Sequence, residues 1–495
     1  MMNSPVTNAR TAVLRCGMRC AGLALGLLAA VGGCSLAPPH AAPDLPVAAR
    51  YPDDIPVSAG SVAADITWRD YFADPGLQGL IARALENSRD LRSAVLRVEE
   101  ARAAYGIRRA DQFPTIGLGF DGSRSRTPAD LSVTGEVLNG GQYQVGASLA
   151  SWELDFWGRV RNLKEAALEE FLATDAARRA LTVSLVAQVA DAYLALRELD
   201  ERIVLARRTI ESRQESFRIF TRRFEVGATS RLDLTQVETL LTQAQTLGVQ
   251  LEQARSLQAH ALAVLVGAPL DLQPATAFRD DLILYELGAG LPSDLLTQRP
   301  DIVAAEHRLK AANASIAAAR AAFFPRVALT ASAGTASAAL EGLFEPGSGA
   351  WRFAPSLSLP IFDGGRNRAA LDLAEVRRDL AVAAYEKTVQ TAFREVADAL
   401  AARHWLTEQL GIQRAALAAQ SERARLAKLR YDNGAARYLE VLDAQRDLLA
   451  AEQQLVQTRR ALMSSRIGLY AALGGGSRHL ADPPAASRTT GASVD

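Results

Sequence analysis

Five histidines, His40, His260, His307, His404 and His479, are scattered through the 495-residue chain. No His or Cys stands at a spacing that would hold a metal ion. No Gly-x-Ser-x-Gly elbow presents a nucleophile, and no glycine-rich loop before a helix could cradle phosphate. The run Gly474-Gly-Gly476 follows a helical stretch and reads as its stop. No catalytic constellation survives, so the chain is expected not to be an enzyme. Basic and acidic residues balance at 55 each, which gives no support to nucleic-acid binding.

One cysteine is placed for covalent chemistry. Cys16, Cys20 and Cys34 are the only thiols. Arg10, Arg15 and Arg19 precede an apolar core, residues 21–31, that is too short to span a bilayer permanently, which is the pattern of a secretory signal. The core ends in Val31-Gly-Gly-Cys34, which resembles the bacterial lipobox, small residues before a cysteine that receives lipid. Residues 1–33 are therefore expected to be a signal peptide and Cys34 the lipid attachment site. That covalent lipid is the only prosthetic group expected. Cleavage would remove Cys16 and Cys20, so no disulfide framework is possible. Ser35, where an Asp would retain a lipoprotein at the inner membrane, favours the outer membrane by resemblance to bacterial lipoproteins.

The elements that follow are long and repeated. No stretch after residue 35 runs 18 apolar residues without charge, which excludes a polytopic helical membrane protein. Residues 34–67 read as an extended segment. A helical pattern over about 77–112 stops at Pro114, and Arg159 to Phe224 runs 66 residues without proline. At the helical rise that run is about 100 Å long, too long for a globular helix. Residues 211 apart match: Leu85 with Leu296, Asp90 with Asp301, Phe113-Pro114 with Phe324-Pro325. Further on the offset becomes 207, matching Gly158-Arg159 with Gly365-Arg366, Arg223 with Arg430, Gly227 with Gly434 and Gly267 with Gly474. The halves are copies: helix, insert, very long helix, Gly turn, returning helix.

The inserts alternate with a period of two. Tyr143–Ala150 and Trp351–Ile361 do so clearly, while 115–121 and 327–333 do so more weakly. Trp152, Trp157 and Trp351 stand near the ends of these runs, where interfacial aromatics are expected. Four strands of bilayer-spanning length cannot close alone, because single-chain barrels begin at about eight. An open sheet in lipid leaves backbone groups unpaired, so several chains must share one barrel. The pattern itself does not choose between two, three or four copies.

The chain resembles the outer membrane factor family, the TolC-like exit ducts of tripartite efflux systems, in its lipoprotein branch. The resemblance rests on Ser151-Trp-Glu-Leu-Asp-Phe-Trp-Gly-Arg159, Leu291-Pro-Ser-Asp-Leu-Leu-Thr-Gln-Arg-Pro-Asp-Ile302, Leu359-Pro-Ile-Phe-Asp-Gly-Gly-Arg366, Leu439-Glu-Val-Leu-Asp-Ala-Gln-Arg446 and Leu473-Gly-Gly-Gly476, in this order across residues 34 to 476. It implies a mainly α protein with a membrane β-barrel: a homotrimer whose 12 strands, four per chain, continue into a long periplasmic α-helical barrel. The first repeat is expected over 68–290, with strands about 115–156 and helices about 77–112 and 159–266. The second is expected over 291–476, with strands about 326–362 and helices about 301–324 and 366–473. Residues 477–495 read as a disordered tail.

The resemblance assigns roles as well. Gly158, Arg159, Gly364, Gly365 and Arg366 form strand-to-helix turns. Gly227, Thr229, Ser230, Gly434 and Ala435 lie in tip turns where a periplasmic membrane-fusion adaptor docks. Leu439 and Asp443, one helical turn apart, narrow the resting periplasmic end. The partners implied are two further copies, the adaptor, a proton-driven inner-membrane pump of the RND type and outer-membrane lipid. The function implied is a passive exit duct whose tip opens on adaptor engagement. The rival is a lipid-anchored periplasmic adaptor or scaffold, which should show one hairpin and a compact β domain.

Overall fold

The computed structural model describes residues 47–48, 51, 61–275, 279–283, 285–288 and 294–480. The residues expected to form a signal peptide, Cys34 and most of the segment expected to be extended lie outside them. Two compact units share the chain; within the described residues one is drawn from 100–172 and 307–383, and the other from the remainder.

The long helices are α1 (Pro75–Asn87), α2 (Arg89–Ala110), α3 (Arg159–Glu225), α4 (Arg231–Val266), α5 (Pro300–Ala321), α6 (Arg366–Asp432) and α7 (Tyr438–Ala472). The strands are β1 (Ile116–Thr127), β2 (Leu138–Leu154), β3 (Arg326–Ser337) and β4 (Gly349–Ser358). The duplication is visible in lengths: α2 and α5 have 22 residues each, α3 and α6 have 67 each. The members of these two pairs start 211 and 207 residues apart respectively, the two offsets read from the sequence. The chain is a mostly helical, duplicated helix–hairpin–long-helix protein with one small antiparallel sheet.

Three boundaries differ from the sequence reading. The helix expected over 77–112 is two helices, because Ser88 ends α1 through its N–H to Ala84 and its Oγ accepts from Leu91 N at 3.4 Å. β4 ends at Ser358 although alternation continues to Ile361, since Pro360 has no N–H to give to the ladder. The tail expected to be disordered from 477 begins with a 3-10 turn, Ser477–Leu480, in which Arg478 pairs with Asp65 at 2.6 Å.

The first unit holds the sheet, in the order β1-β2-β3-β4, every pair antiparallel. β2 and β3 join the two hairpins, which leaves β1 and β4 as open edges. Between Leu149 and Trp152 the β2 register shifts by one residue, and Ser151 there adopts φ 44°. The bulge changes the phase of alternation. Leu149 and Trp152 consequently lie on one face, opposite Ala331 and Leu329. That is why the alternation visible in the sequence stops at Ala150 while the strand continues to Leu154.

The second unit contains the main core. Tyr71 and Tyr470 stack at 4.3 Å between ring centroids, and Phe72, Leu77, Ile81, Val189, Leu196, Leu262 and Ile302 are fully buried around them. Tyr470 Oη donates to Ile66 O and Tyr71 Oη to Arg466 O, so both phenols are satisfied. Burial pushes both far above the ordinary tyrosine range. α3 carries a window long and apolar enough to cross a membrane, and half of that window is buried inside the chain.

Each repeat places a left-handed glycine at the end of its returning helix. Gly267 follows α4 at φ 72°, and Gly474 follows α7 at φ 72°. A Cβ at Gly267 would meet Asn87 O at 2.4 Å, and one at Gly474 would meet Gln298 O at 2.5 Å. Asn87 and Gln298 are themselves 211 apart, so one close backbone contact has been built twice.

Candidate functional site

Two places carry the residues singled out above, each within one unit. In the first unit, Asp155 accepts from Val160 N at 3.1 Å and Arg161 N at 2.7 Å, capping α3. Asp363 accepts from Gly365 N and Asn367 N, both at 2.9 Å, at the start of α6. A carboxylate there meets the unpaired N–H groups and positive end of the helix. Gly158 adopts φ 74°, Gly364 66° and Gly365 86°, as these turns require. Arg159 makes two bonds to Glu153, at 2.9 and 2.8 Å, and Arg326 adds a third at 2.8 Å. Among the described residues Arg366 has no equivalent pairing, because Pro360 stands where the repeat would place Glu153. Trp157 stacks on Phe324 at 4.9 Å and donates to Pro325 O, tying the first strand-to-helix turn to the end of α5. These residues build the junction between strand and helix.

In the second unit, the α3–α4 and α6–α7 connections form two tips with one backbone design. Gly227 N donates to Phe224 O and Ala228 N to Arg223 O at 2.7 Å; Gly434 N donates to Tyr431 O and Ala435 N to Arg430 O at 2.8 Å. Both glycines sit at φ 74°. This is the glycine C-terminal motif that satisfies orphan carbonyls.

The tips then diverge. At the first, Ser230 and Asp233 make a reciprocal capping box, and Thr229 Oγ1 also reaches Asp233 at 3.1 Å. These bonds, the Ser230 hydroxyl first, hold Asp233 below the usual carboxylate range. At the second, Arg437 offers no side-chain cap, and Arg430 instead pairs with Glu440 at 3.0 Å.

The pairing across each turn also differs. Arg231 stands over the Phe224 ring at 5.6 Å. The positions 207 later are Tyr438 and Tyr431, whose rings lie 4.8 Å apart. Tyr438 also meets Phe220 at 4.5 Å and donates to Ser216 Oγ, and Arg223 donates to Tyr431 Oη. The second tip is thereby tied to α3 through aromatics. Phe220, Leu234, Val237 and Leu442 form a small buried cluster beneath.

Leu439 and Asp443 share one face of α7, as their spacing required. Leu439 is 44% exposed, whereas its neighbours Val441 and Leu442 are buried. Asp443 is partly exposed and pairs with Arg446 at 3.3 Å. Arg446 also pairs with Asp447, which Arg423 of α6 binds at 2.7 Å. Those two arginines, Arg423 first, hold Asp447 below the usual carboxylate range. Arg213 is almost fully buried nearby and donates to Leu240 O; burial, and then Arg446, lower its pKa.

Sequence reasoning gave no role of their own to Phe220, Tyr431, Tyr438, Arg213 and Arg446. The signal for the aromatics was present: the repeat matches Arg231 to Tyr438, and a duplicated helix that exchanges a cation for a ring at a turn has acquired a different neighbour there. Cys34 lies outside the described residues. Among the described residues no group of His, Cys, Asp and Glu could hold a metal.

A family model described as outer membrane efflux protein matches residues 80–268 and 291–475, two segments that each end one residue past a contact glycine, Gly267 or Gly474. The chain is 45% identical over 452 residues to the antibiotic efflux pump outer membrane protein ArpC of Pseudomonas putida, spanning 90% of this chain and 93% of that protein. It is 44% identical over 452 residues to the toluene efflux pump outer membrane protein TtgC, also of Pseudomonas putida, again spanning 90% and 93%. A solved structure of the open state of the Neisseria gonorrhoeae MtrE outer membrane channel matches with a TM-score of 0.81 at 40% identity, covering 90% of this chain and 98% of that one.

Proposed function

Since the chain belongs to the outer membrane efflux protein family, we propose how it works as the outer-membrane exit duct of a tripartite efflux system. It is a channel component and not an enzyme. Transport energy comes from an inner-membrane pump of the RND type, coupled through a periplasmic adaptor. The rival reading as an adaptor falls, because efflux pump outer membrane proteins match about nine-tenths of the chain.

Three copies share one barrel of 12 strands, lipid-facing in the outer membrane. The observation that supports this is the four-stranded sheet with two open edges and an apolar face. Ile116 (72% exposed), Leu118 (89%), Trp351 (80%) and Phe353 (61%) crowd one side of it. Such a surface is unstable in water and its edges are untenable in lipid unless paired with further copies. Cys34 carries lipid that adds an anchor, placing the chain in the lipoprotein branch.

The tips dock the adaptor through the surface around Gly227, Thr229, Ser230, Gly434 and Ala435. Leu439 and Asp443 line the resting constriction. The adaptor opens it by binding the spread arrangement of helices more tightly than the closed one. Cargo choice is assigned to the pump, consistent with relatives named for exporting different compounds.

Purified protein in detergent should migrate as a heat-resistant oligomer with a β signal in circular dichroism, and should insert channels into planar bilayers. Leu439→Ala with Asp443→Ala should raise single-channel conductance. Monomeric migration without channel activity would overturn the duct; unchanged conductance in intact oligomers would move the constriction elsewhere.

A further inference from the structure

The apolar face of the sheet carries two charged residues, and both are arginines at the same end. Paired residues across an antiparallel ladder share a face, so the registers define rows. From the helix-proximal end these rows run Leu154–Val327–Leu357, then Trp152–Leu329–Pro355, Ile116–Leu149–Ala331–Phe353, and Leu118–Ala147–Ala333–Trp351. Phe120–Val145–Thr335–Gly349 and Gly122–Tyr143–Ser337 complete the apolar part. Next come Arg124 opposite Gly141 and Arg126 opposite Asn139.

The height of this stack places the arginines. Val327 to Ser337 is ten steps along β3, about 34 Å at the rise of an antiparallel strand. At a tilt of about 40° the rows stand ~26 Å tall, the height of a barrel's lipid-facing band. The row that carries Tyr143, whose ring lies over Gly122, is then the upper aromatic boundary. Arg124 and Arg126 fall one and two rows beyond it, about 5 and 10 Å further along the membrane normal. That is headgroup depth, on the side opposite the helices.

Their charge is uncompensated. Both side chains are exposed, and among the described residues neither makes an ion pair, although Asp130 and Glu136 lie in the adjoining loop. At the opposite end of the sheet the arrangement is reversed: Arg159 and Arg326 are both held by Glu153. Gly141 and Asn139, both uncharged, stand opposite the two arginines on β2.

We propose that Arg124 and Arg126 form a binding site for the phosphate of an anionic lipid in the leaflet away from the periplasm. A guanidinium presents a planar fork that matches phosphate oxygens in pairs. Two of them on one face of a strand, above an apolar band that receives the acyl chains, complement a phosphorylated lipid along its whole length. This inference rests on the barrel reading above.

The test uses the full-length protein in phosphatidylcholine nanodiscs, with or without diphosphoryl lipid A as the probe. Native mass spectrometry counts lipid A molecules retained per oligomer. The wild type should retain lipid A, and Arg124→Gln with Arg126→Gln should weaken retention by about tenfold or more, the scale of losing charge-assisted hydrogen bonds. Arg124→Lys with Arg126→Lys should recover part of it, as point charges without the fork. Equal retention by wild type and the Gln variant, or no preference over phosphatidylcholine in the wild type, would overturn the site. Oligomer integrity in the same spectra tests the barrel separately, since intact oligomers without lipid A would refute the site alone.

Discussion

Gly267 and Gly474 each hold a backbone that an L-residue adopts reluctantly, pressed against a carbonyl that cannot retreat. The left-handed conformation alone costs another residue about 1–2 kcal/mol. The added Cβ would also sit 2.4 or 2.5 Å from Asn87 O or Gln298 O. Gly267→Ala and Gly474→Ala should therefore lower the melting temperature of the protein, whereas Gly79→Ala, with nothing within 4 Å, should not. The repeat match made these glycines legible as a pair, but their contact partners were not, because the sequence does not say which carbonyls approach. Asp443 shows a similar limit. Its spacing from Leu439 predicted a shared face, and the structure supplies a cation, Arg446, 3.3 Å away. Asp443→Ala thus removes one negative charge and leaves Arg446 paired with Asp447. Reversal potentials in a salt gradient should move away from cation preference, and the change should shrink at high ionic strength. An unchanged reversal potential would remove Asp443 from the ion path.

Among the elements, the tips were legible as turns and illegible as different turns. Gly227 and Gly434 announced two helix ends by the same signal. The capping box at Ser230 and the aromatic tie at Tyr438 follow from side chains that the two repeats do not share. Ser230→Ala should destabilise the start of α4 by ~1 kcal/mol, visible as faster amide hydrogen exchange near Asp233. Acid should act in the same place. A carboxylate whose folded pKa is depressed contributes stability that is present above its unfolded pKa and lost as pH falls through the folded value. Asp233 is held low by Ser230 and Asp447 by Arg423. Protection factors in both tips, the observed exchange divided into the intrinsic rate at each pH, should accordingly hold through mild acid and fall only below the ordinary aspartate range. Loss of protection already around neutral pH would show that other groups hold the tips. The strands taught the complementary lesson: alternation located all four, but the bulge at Ser151 reverses phase without leaving a mark in composition.

For the whole molecule, duplication was the most legible property, because two offsets of fixed value survive in the sequence and set the helix lengths. The order of the sheet was not legible, since alternation cannot say that β2 pairs with β3. Anchoring belongs to this scale too. If the proposed barrel holds the protein in the membrane, Cys34→Ala behind a conventional signal should abolish incorporation of radiolabelled palmitate yet leave much of the oligomer intact. Persistent labelling would show that the lipid sits elsewhere. The open edges carry a genetic consequence. In the proposed shared barrel each subunit gives its β1 to one neighbour and its β4 to the other, so such a ring tolerates no member with a blocked edge. A chain with prolines through β4, co-expressed equally with the intact gene, would leave only about one three-membered ring in eight free of the altered subunit, if assembly is random and closure cyclic. Loss-of-assembly alleles confined to β1 or β4 should behave as recessive when they prevent the sheet from folding and as dominant when they spoil only its rim.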